Sequence, residues 1–229
     1  MTGPRLRLAS ALGVFAALAV LGATAVTVSA YTRHESAPTS PGHALAGGQH
    51  VTRGAVVLEV PARDWTLEGE DTVLYYLDRS GRPGVGVAGP AVFRVGFCRR
   101  EPDGSNRGFI GVAGSTPGSA VRAANVAVAR DWAAAVALGA DLQTSGPRTR
   151  LRTAPVTLDD GTRAVWTSAL VTVPDPVRCE APAVDLTLLS FATAGTVTHV
   201  VLVRDAGVPG TLPDAAAERI LRTVHPRSG

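Results

Sequence analysis

Residues 185–204 read DLTLLSFATAGTVTHVVLVR, two apolar runs that are joined at Ala194-Gly195. The runs, residues 185–192 and 197–204, are rich in valine, leucine and threonine, and a short glycine-containing turn between such runs is typical of a β-hairpin. A hairpin pairs its two strands antiparallel. This stretch therefore predicts a fold built around an antiparallel sheet.

The same arrangement occurs earlier in the chain, where Asp159-Asp160-Gly161 separates apolar runs at residues 150–158 and 162–173. A turn of this composition between strand-like runs predicts a second hairpin. Further strands are predicted from short apolar runs at residues 55–60, 72–77, 91–96 and 109–113.

Two helices are predicted where apolar residues recur every three or four positions. The first spans residues 119–138, and Trp132 is interpreted as its core anchor rather than as a ligand-stacking residue. The second spans residues 213–223 and begins at Pro213, whose missing N–H suits a first helical turn. Helices placed between runs of strands indicate a layered α+β domain.

The N-terminal part of the chain predicts a membrane anchor. Residues 8–31 contain no charged side chain, and Arg5 and Arg7 precede them. A helix of this length extends about 36 Å, enough to cross a hydrocarbon core of about 30 Å. Because flanking arginines favour the cytoplasmic side, we expect a cytoplasmic segment at residues 1–7 and a transmembrane signal anchor at 8–31.

The alternative is a cleaved secretory signal peptide, with the small residues Val28-Ser29-Ala30 before the cleavage site. Either interpretation exports the remainder of the chain. We therefore expect a single-pass protein of the cell membrane whose C-terminal domain is extracytoplasmic.

Residues 32–54 are rich in serine, proline, glycine and histidine and lack apolar periodicity, so they are interpreted as a flexible linker. His34, His43 and His50 lie within it at irregular spacings that do not indicate a metal site. Residues 55–226 are long enough for one ordinary extracytoplasmic α+β domain.

The exported part of the chain is formally neutral, because three N-terminal arginines precede every acidic residue and the other 19 balance all 19 Asp and Glu. A neutral domain lacks the positive charge that drives nucleic-acid binding. The absence of lysine excludes Schiff-base catalysis and a P-loop lysine. Arg148, Arg150 and Arg152 alternate in the sequence and, on a strand, would form a short basic row on one face, called here the basic comb. It is interpreted as a solvated face, with a binding site for an anionic partner as the alternative.

Cys98 and Cys179 are the two cysteines of the chain, and both lie in the exported part. An even count in an oxidising compartment predicts a structural disulfide. Free or intermolecular thiols are the alternative, and the absence of a Cys-x-x-Cys pair argues against redox catalysis.

Two local patterns resemble chemical motifs without their required context. Residues 84–89 match G-x-G-x-x-G, but no helix follows them, so they are interpreted as a glycine-rich turn that leads into a strand. Glu68, Glu70 and Asp71 are interpreted as a solvated hairpin tip rather than a cation site.

A nucleophile, base and acid can be combined from Ser190, His199 and Asp205, but nothing in the local sequence distinguishes these residues. His199 lies in an apolar strand and is interpreted as a partly buried packing residue. We therefore assign no catalytic, cofactor-binding or metal-binding residue.

Several short segments resemble a domain family of unknown function found in membrane-anchored actinobacterial proteins and, more distantly, the Mog1/PsbP-like fold of mycobacterial exported lipoproteins. The segments are residues 89–93 (GPAVF), 96–98 (GFC), 107–109 (RGF), 132–133 (WA), 179–182 (CEAP) and 207–214 (GVPGTLPD). The resemblance covers about residues 55–226 and implies an antiparallel sheet sandwiched between helices. It implies a binding or accessory module rather than an enzyme, and it transfers no functional residues.

From these observations we expect a non-catalytic binding or accessory module at the cell envelope. It would use no cofactor or nucleic acid, and its partners would be the membrane and an unknown envelope protein or ligand. The alternative is a hydrolase that acts on an envelope component. A deep pocket that gathers His199 or a serine with a carboxylate would favour the enzyme, whereas a shallow apolar groove would favour binding.

Overall fold

The computed structural model describes residues 7–10, 47–102, 105–147, 149–176 and 179–227. The strands in these ranges are β1 (Arg7–Ser10), β2 (Gly48–Arg53), β3 (Val56–Pro61), β4 (Trp65–Leu67), β5 (Thr72–Leu77), β6 (Pro83–Phe93), β7 (Gly108–Pro117), β8 (Arg152–Thr157), β9 (Arg163–Thr172), β10 (Ala183–Thr193), β11 (Thr196–Ala206) and β12 (His225–Pro226). The helices are α1 (Val121–Val136) and α2 (Asp214–Arg222).

The strands form two antiparallel sheets. The larger has nine strands in the order β1-β5-β6-β7-β11-β10-β9-β8, with β4 paired to β6, and the smaller has the order β12-β3-β2. Both predicted hairpins are present, as β8–β9 and β10–β11, and β11 also pairs with β7. The predicted sheet-rich α+β class is therefore confirmed.

The nine-stranded sheet is covered on both faces, as alternation along β11 shows. Val200 and Leu202 pack in one cluster with the apolar residues of α2 and of β2 and β3. Val201 and Val203 pack in a second cluster with the apolar residues of α1. Neighbouring residues of a strand point to opposite faces, so α1 lies on one side of the sheet and α2 with the small sheet lies on the other.

The two predicted helices are confirmed, with ends that differ by one or two residues. Trp132 is 1% exposed and packs against Tyr76 and Phe109, with ring centroids 6.1 and 6.2 Å away. It is therefore the core anchor that the spacing predicted. Pro213 lies one position before α2, as its N-cap residue.

The glycine-rich run at residues 84–89 is not a turn, because it forms part of β6. Its glycines allow close approach of the neighbouring strands: a Cβ on Gly86 would lie 2.8 Å from the Leu74 carbonyl oxygen. Gly89 has φ +53° at an irregular register between β6 and β7, and its carbonyl accepts a 2.8 Å hydrogen bond from Arg53 Nε.

Four of the described strands, β1, β2, β4 and β12, were not predicted. β2 lies in residues assigned to the linker. Its sequence has only a weak apolar pattern, and it forms a strand because it pairs with β3. β4 has three residues and is held by pairing to β6 and by Trp65, whose ring centroid lies 5.3 Å from that of Phe93.

The predicted anchor at residues 8–31 lies mostly outside the described residues. Residues 7–10 form β1, which pairs with β5. Within the described ranges, no helix has the length and apolar character needed to cross a bilayer.

The predicted disulfide is confirmed. Cys98 and Cys179 are bonded, with their Cα atoms 6.0 Å apart, and the bond joins the loop after β6 to the loop before β10. Closing a loop of 81 residues stabilises a domain by roughly 4 kcal/mol in the chain-entropy model.

Candidate functional site

Helix α1 is fixed to the sheet by one buried carboxamide. Asn125 is fully buried, and the two N–H groups of its Nδ2 are shared among three acceptors, the Val165 and Leu188 carbonyl oxygens at 3.0 Å each and Ser190 Oγ at 2.8 Å. Its Oδ1 accepts a hydrogen bond from the Thr167 hydroxyl. Because every polar atom of this side chain has a partner, burial of the amide is compensated and the position of α1 is specified.

Hydrogen bonds continue from Asn125 in both directions. Ser190 Oγ lies 2.8 Å from His199 Nδ1, and His199 Nε2 lies 3.1 Å from Thr116 Oγ1. On the other side, Thr167 Oγ1 lies 2.7 Å from Thr153 Oγ1. We call this connected set the polar chain; its members are Thr153, Thr167, Asn125, Ser190, His199 and Thr116.

One proton arrangement gives every contact at the His199 end of the polar chain a donor. Ser190 Oγ accepts from Asn125 and can donate its own proton to His199 Nδ1; in that tautomer the proton of the neutral imidazole is on Nε2, facing Thr116. Burial lowers the pKa of His199, which favours this neutral form.

The structure brings together two members of the Ser190, His199 and Asp205 combination and excludes the third. Asp205 bonds Arg107 at 2.7 Å, and burial raises the pKa of its carboxyl group. Ser190 is 0% and His199 1% exposed. No substrate can reach this serine without displacement of α1.

An open groove of about 1000 Å3 lies beside α1. One wall is α1 with the residues just after it, and the opposite wall is the returning segment, of which residues 145–147 and 149–153 are described. Asp78, Arg79 and Gly84 add to the lining from the region where β5 connects to β6. The segment is fixed at both ends: Gly146 N donates to the Ala137 carbonyl at 2.9 Å, and Thr153 joins the polar chain that ends on α1. The residues that form the apolar part of the walls are Val126, Ala133, Ala134, Ala135, Ala137, Leu138, Pro147 and Leu151.

Some charged side chains that line the groove already have hydrogen-bond partners within the protein. Arg79 donates to the Gln143 carbonyl at 2.8 Å and to Ser145 Oγ at 2.6 Å, which holds the loop after α1. Asp78 Oδ1 accepts hydrogen bonds from Ser80 and Arg82, and the Ser80 hydroxyl is the first cause of the lowered pKa of this carboxyl. Arg130 is exposed, and among the described residues no hydrogen bond or ion pair reaches its guanidinium.

The other sequence candidates do not converge on the groove. Glu70 lies 3.9 Å from Arg53 in the connection between β4 and β5, and the part of the chain that is described holds no cluster of three or more His, Cys, Asp or Glu suited to a metal ion. His50 lies in β2, whereas His34 and His43 lie outside the described residues.

The basic comb is only partly described. Arg148 lies outside the described residues, and Arg150 and Arg152 are exposed. The alternate residues Thr149, Leu151 and Thr153 line the groove.

Sequence reasoning missed the groove. The sequence feature that marks it is a run of small side chains, Ala133, Ala134, Ala135 and Ala137, at the C-terminal end of α1. Their meaning depends on segment 145–153 lying opposite them, which no local pattern predicts.

Comparison with known proteins gives a family and a distant structural similarity. The profile of the family described as "Domain of unknown function (DUF8017)" matches residues 36–228. The crystal structure of LpqN, described as involved in cell envelope biogenesis of Mycobacterium tuberculosis, is similar at 16% identity and a TM-score of 0.40, over 82% of this chain and 100% of that chain. A similarity at that TM-score bears on neither fold nor function. The comparison with curated proteins found no match.

Proposed function

Since the chain belongs to the DUF8017 family, a domain of unknown function, we propose from its geometry that it is a non-catalytic binding module that holds a small ligand in the groove beside α1. The observation that carries this proposal is the contrast between an open, alanine-walled groove and a sealed Ser190–His199 pair. Ligand sites are concave and mostly apolar, with a few placed polar groups. The groove has that composition.

The proposed place of action is the outer side of the cell membrane, at the cell envelope. Two features support it: the uncharged stretch at residues 8–31, with Arg5 and Arg7 before it, and the disulfide between Cys98 and Cys179. Disulfides persist in oxidising compartments and are rare in the cytosol. Under this proposal the uncharged N-terminal stretch binds the membrane and the domain meets its envelope ligand or partner outside.

The finer family assignment is also a proposal. The short segments between residues 89 and 214 support membership in membrane-anchored actinobacterial proteins. Helices on both faces of an antiparallel sheet are the arrangement expected of a Mog1/PsbP-like fold.

The hydrolase alternative has one observation in its favour, the 2.8 Å contact between Ser190 Oγ and His199 Nδ1. Two observations weigh against it. The serine is fully buried, and the group that faces the other ring nitrogen of His199, at 3.1 Å, is the Thr116 hydroxyl rather than a carboxylate. The binding proposal is therefore preferred.

Groove filling tests the proposal. The purified full chain is titrated with N-phenyl-1-naphthylamine, an apolar dye that fluoresces when it leaves water. Ala134 is exposed and lines the groove, so Ala134→Leu should weaken dye binding about tenfold or more, since the added methyl groups occupy the space of the ligand. Ala127 is also exposed on α1 but does not line the groove, which makes Ala127→Leu the matched control.

We expect the control to bind like the wild type. Absence of saturable dye binding to the wild type, or equal affinities for both variants, would contradict a ligand site in the groove. Equal thermal unfolding midpoints of the two variants would show that the difference in binding is local.

A further inference from the structure

Building on the proposed function, we propose that the groove takes a carboxylate amphiphile, with the carboxylate bound by Arg130 and the apolar part along the alanine wall. The juxtaposition that carries this inference is an exposed guanidinium, without a bonding partner among the described residues, in the lining of an apolar groove that also includes Thr149 and Thr153.

Arg130 lies between the two points that fix segment 145–153 to α1. The Gly146–Ala137 hydrogen bond marks the C-terminal end of the helix, and the connection from Thr153 to Asn125 marks the other end. Thr149 and Thr153 line the groove in the second half of the returning segment. Both threonines therefore lie on the wall opposite the part of α1 that carries Arg130, and the Thr153 hydroxyl is already bonded to Thr167.

The charge of Arg130 is available, in contrast to that of Arg79, which also lines the groove. Arg79 is bonded to the Gln143 carbonyl and to Ser145 Oγ, and the carboxylate of Asp78 lies on the same turn. Among the described residues Arg130 has no such partner. A guanidinium presents two parallel N–H groups that match the two oxygens of a carboxylate, and one positive charge balances one negative charge.

The apolar part of the ligand has a defined direction. From Arg130 toward Leu138 the α1 wall is formed by Ala133, Ala134 and Ala137, a distance of about 12 Å at 1.5 Å per residue. The C-terminal end of a helix carries partial negative charge, which disfavours an anion there. The carboxylate is thus placed at Arg130, and the apolar chain extends toward the end of the helix.

The experiment measures displacement of N-phenyl-1-naphthylamine by dodecanoate, by 1-dodecanol and by dodecyl phosphate, each below the concentration at which it aggregates. With the full-length wild type we expect dodecanoate to compete about tenfold better than dodecanol, which is typical of one charge-assisted contact. Arg130→Gln should remove that preference and leave dodecanol unchanged. Arg122, exposed on α1 and outside the groove lining, supplies the control Arg122→Gln, which should retain the preference.

Three outcomes would overturn the inference. Equal competition by dodecanoate and dodecanol in the wild type would show that the groove does not recognise a carboxylate. A preference for dodecanoate that persists in Arg130→Gln would show that Arg130 does not bind it. Dodecyl phosphate competing far better than dodecanoate would replace the carboxylate by a phosphate. If neither dodecanoate nor dodecanol displaces the dye, the groove proposal itself fails, so the two failures are distinguishable.

Discussion

The two faces of the nine-stranded sheet are closed in different ways. The face under α2 is covered by an apolar cluster that includes Phe191, Leu202 and Ile220. The face under α1 combines apolar packing with the buried polar chain around Asn125, and it leaves a groove open beside the helix. Apolar contacts have no preferred direction, whereas a fully bonded amide accepts one position. The α2 face therefore serves stability, and the α1 face holds a binding surface in a defined place.

Truncation at the centre of the α2 face should have the largest effect on stability. Phe191 is fully buried, and Phe191→Ala should lower the free energy of unfolding by about 3–5 kcal/mol, because it removes a large apolar side chain and leaves a cavity. Chemical denaturation measures this loss. Dye affinity of the remaining folded protein should be unchanged, and a loss of affinity matching that of Ala134→Leu would show that the two faces are not separate.

Removal of the Asn125 amide on the α1 face should lower the free energy of unfolding less than Phe191→Ala does, but it should lower the dye affinity more. Asn125→Ala leaves buried hydrogen-bonding groups on Ser190 and Thr167 without their partner, at a cost of about 2–3 kcal/mol in unfolding free energy. Since Asn125 also fixes α1 against the sheet, dye affinity should fall in the folded protein. Arg122→Ala, one turn earlier and exposed, is the control that should alter neither quantity.

The contrast also bears on what the sequence could predict. Strand and helix positions followed from apolar periodicity, as in residues 185–204. The Ser190–His199 contact was also accessible, because a two-residue turn at Ala194-Gly195 places these residues directly opposite each other. Asp205 lies six residues beyond His199, about 20 Å along an extended strand, which excludes it from the same site.

Features that depend on distant segments were not accessible. Asn125 bonds the carbonyl of Val165 and the hydroxyl of Ser190, which are 40 and 65 residues away in sequence. The groove likewise requires segment 145–153 to return beside α1. A buried asparagine in a helix has no local pattern that distinguishes it from an exposed one, so the α1 face was predicted in outline but not in its chemistry.

Acid should weaken the α1 face selectively, with an effect of about 1 kcal/mol per pH unit. Burial lowers the pKa of His199 in the folded state below its ordinary value of 6.5. Below pH 6.5 the unfolded chain therefore binds a proton that the folded chain does not, and stability falls as the pH decreases toward the folded pKa. Above pH 6.5 this contribution is constant.

The measurement compares the free energy of unfolding of the wild type and His199→Gln between pH 7.5 and 5.5. The difference between the two proteins isolates the histidine from the carboxyl groups, which titrate in both. We expect the advantage of the wild type to shrink with acid. If the free energies of unfolding of the two proteins changed in parallel over this range, protonation of His199 would not destabilise the folded state.

The smallest effect is expected at the rim of the α2 face. Glu218 and Arg222 form an exposed ion pair four residues apart on α2, with 2.8 Å between Arg222 Nη2 and Glu218 Oε1. Exposed pairs of this kind contribute about 0.3–0.5 kcal/mol, so Glu218→Ala should shift the free energy of unfolding by no more than that and should leave dye affinity unchanged. A loss comparable to that of Phe191→Ala would mean that surface charge, rather than apolar burial, holds α2 on the sheet, and the assignment of that face to apolar packing would have to be abandoned.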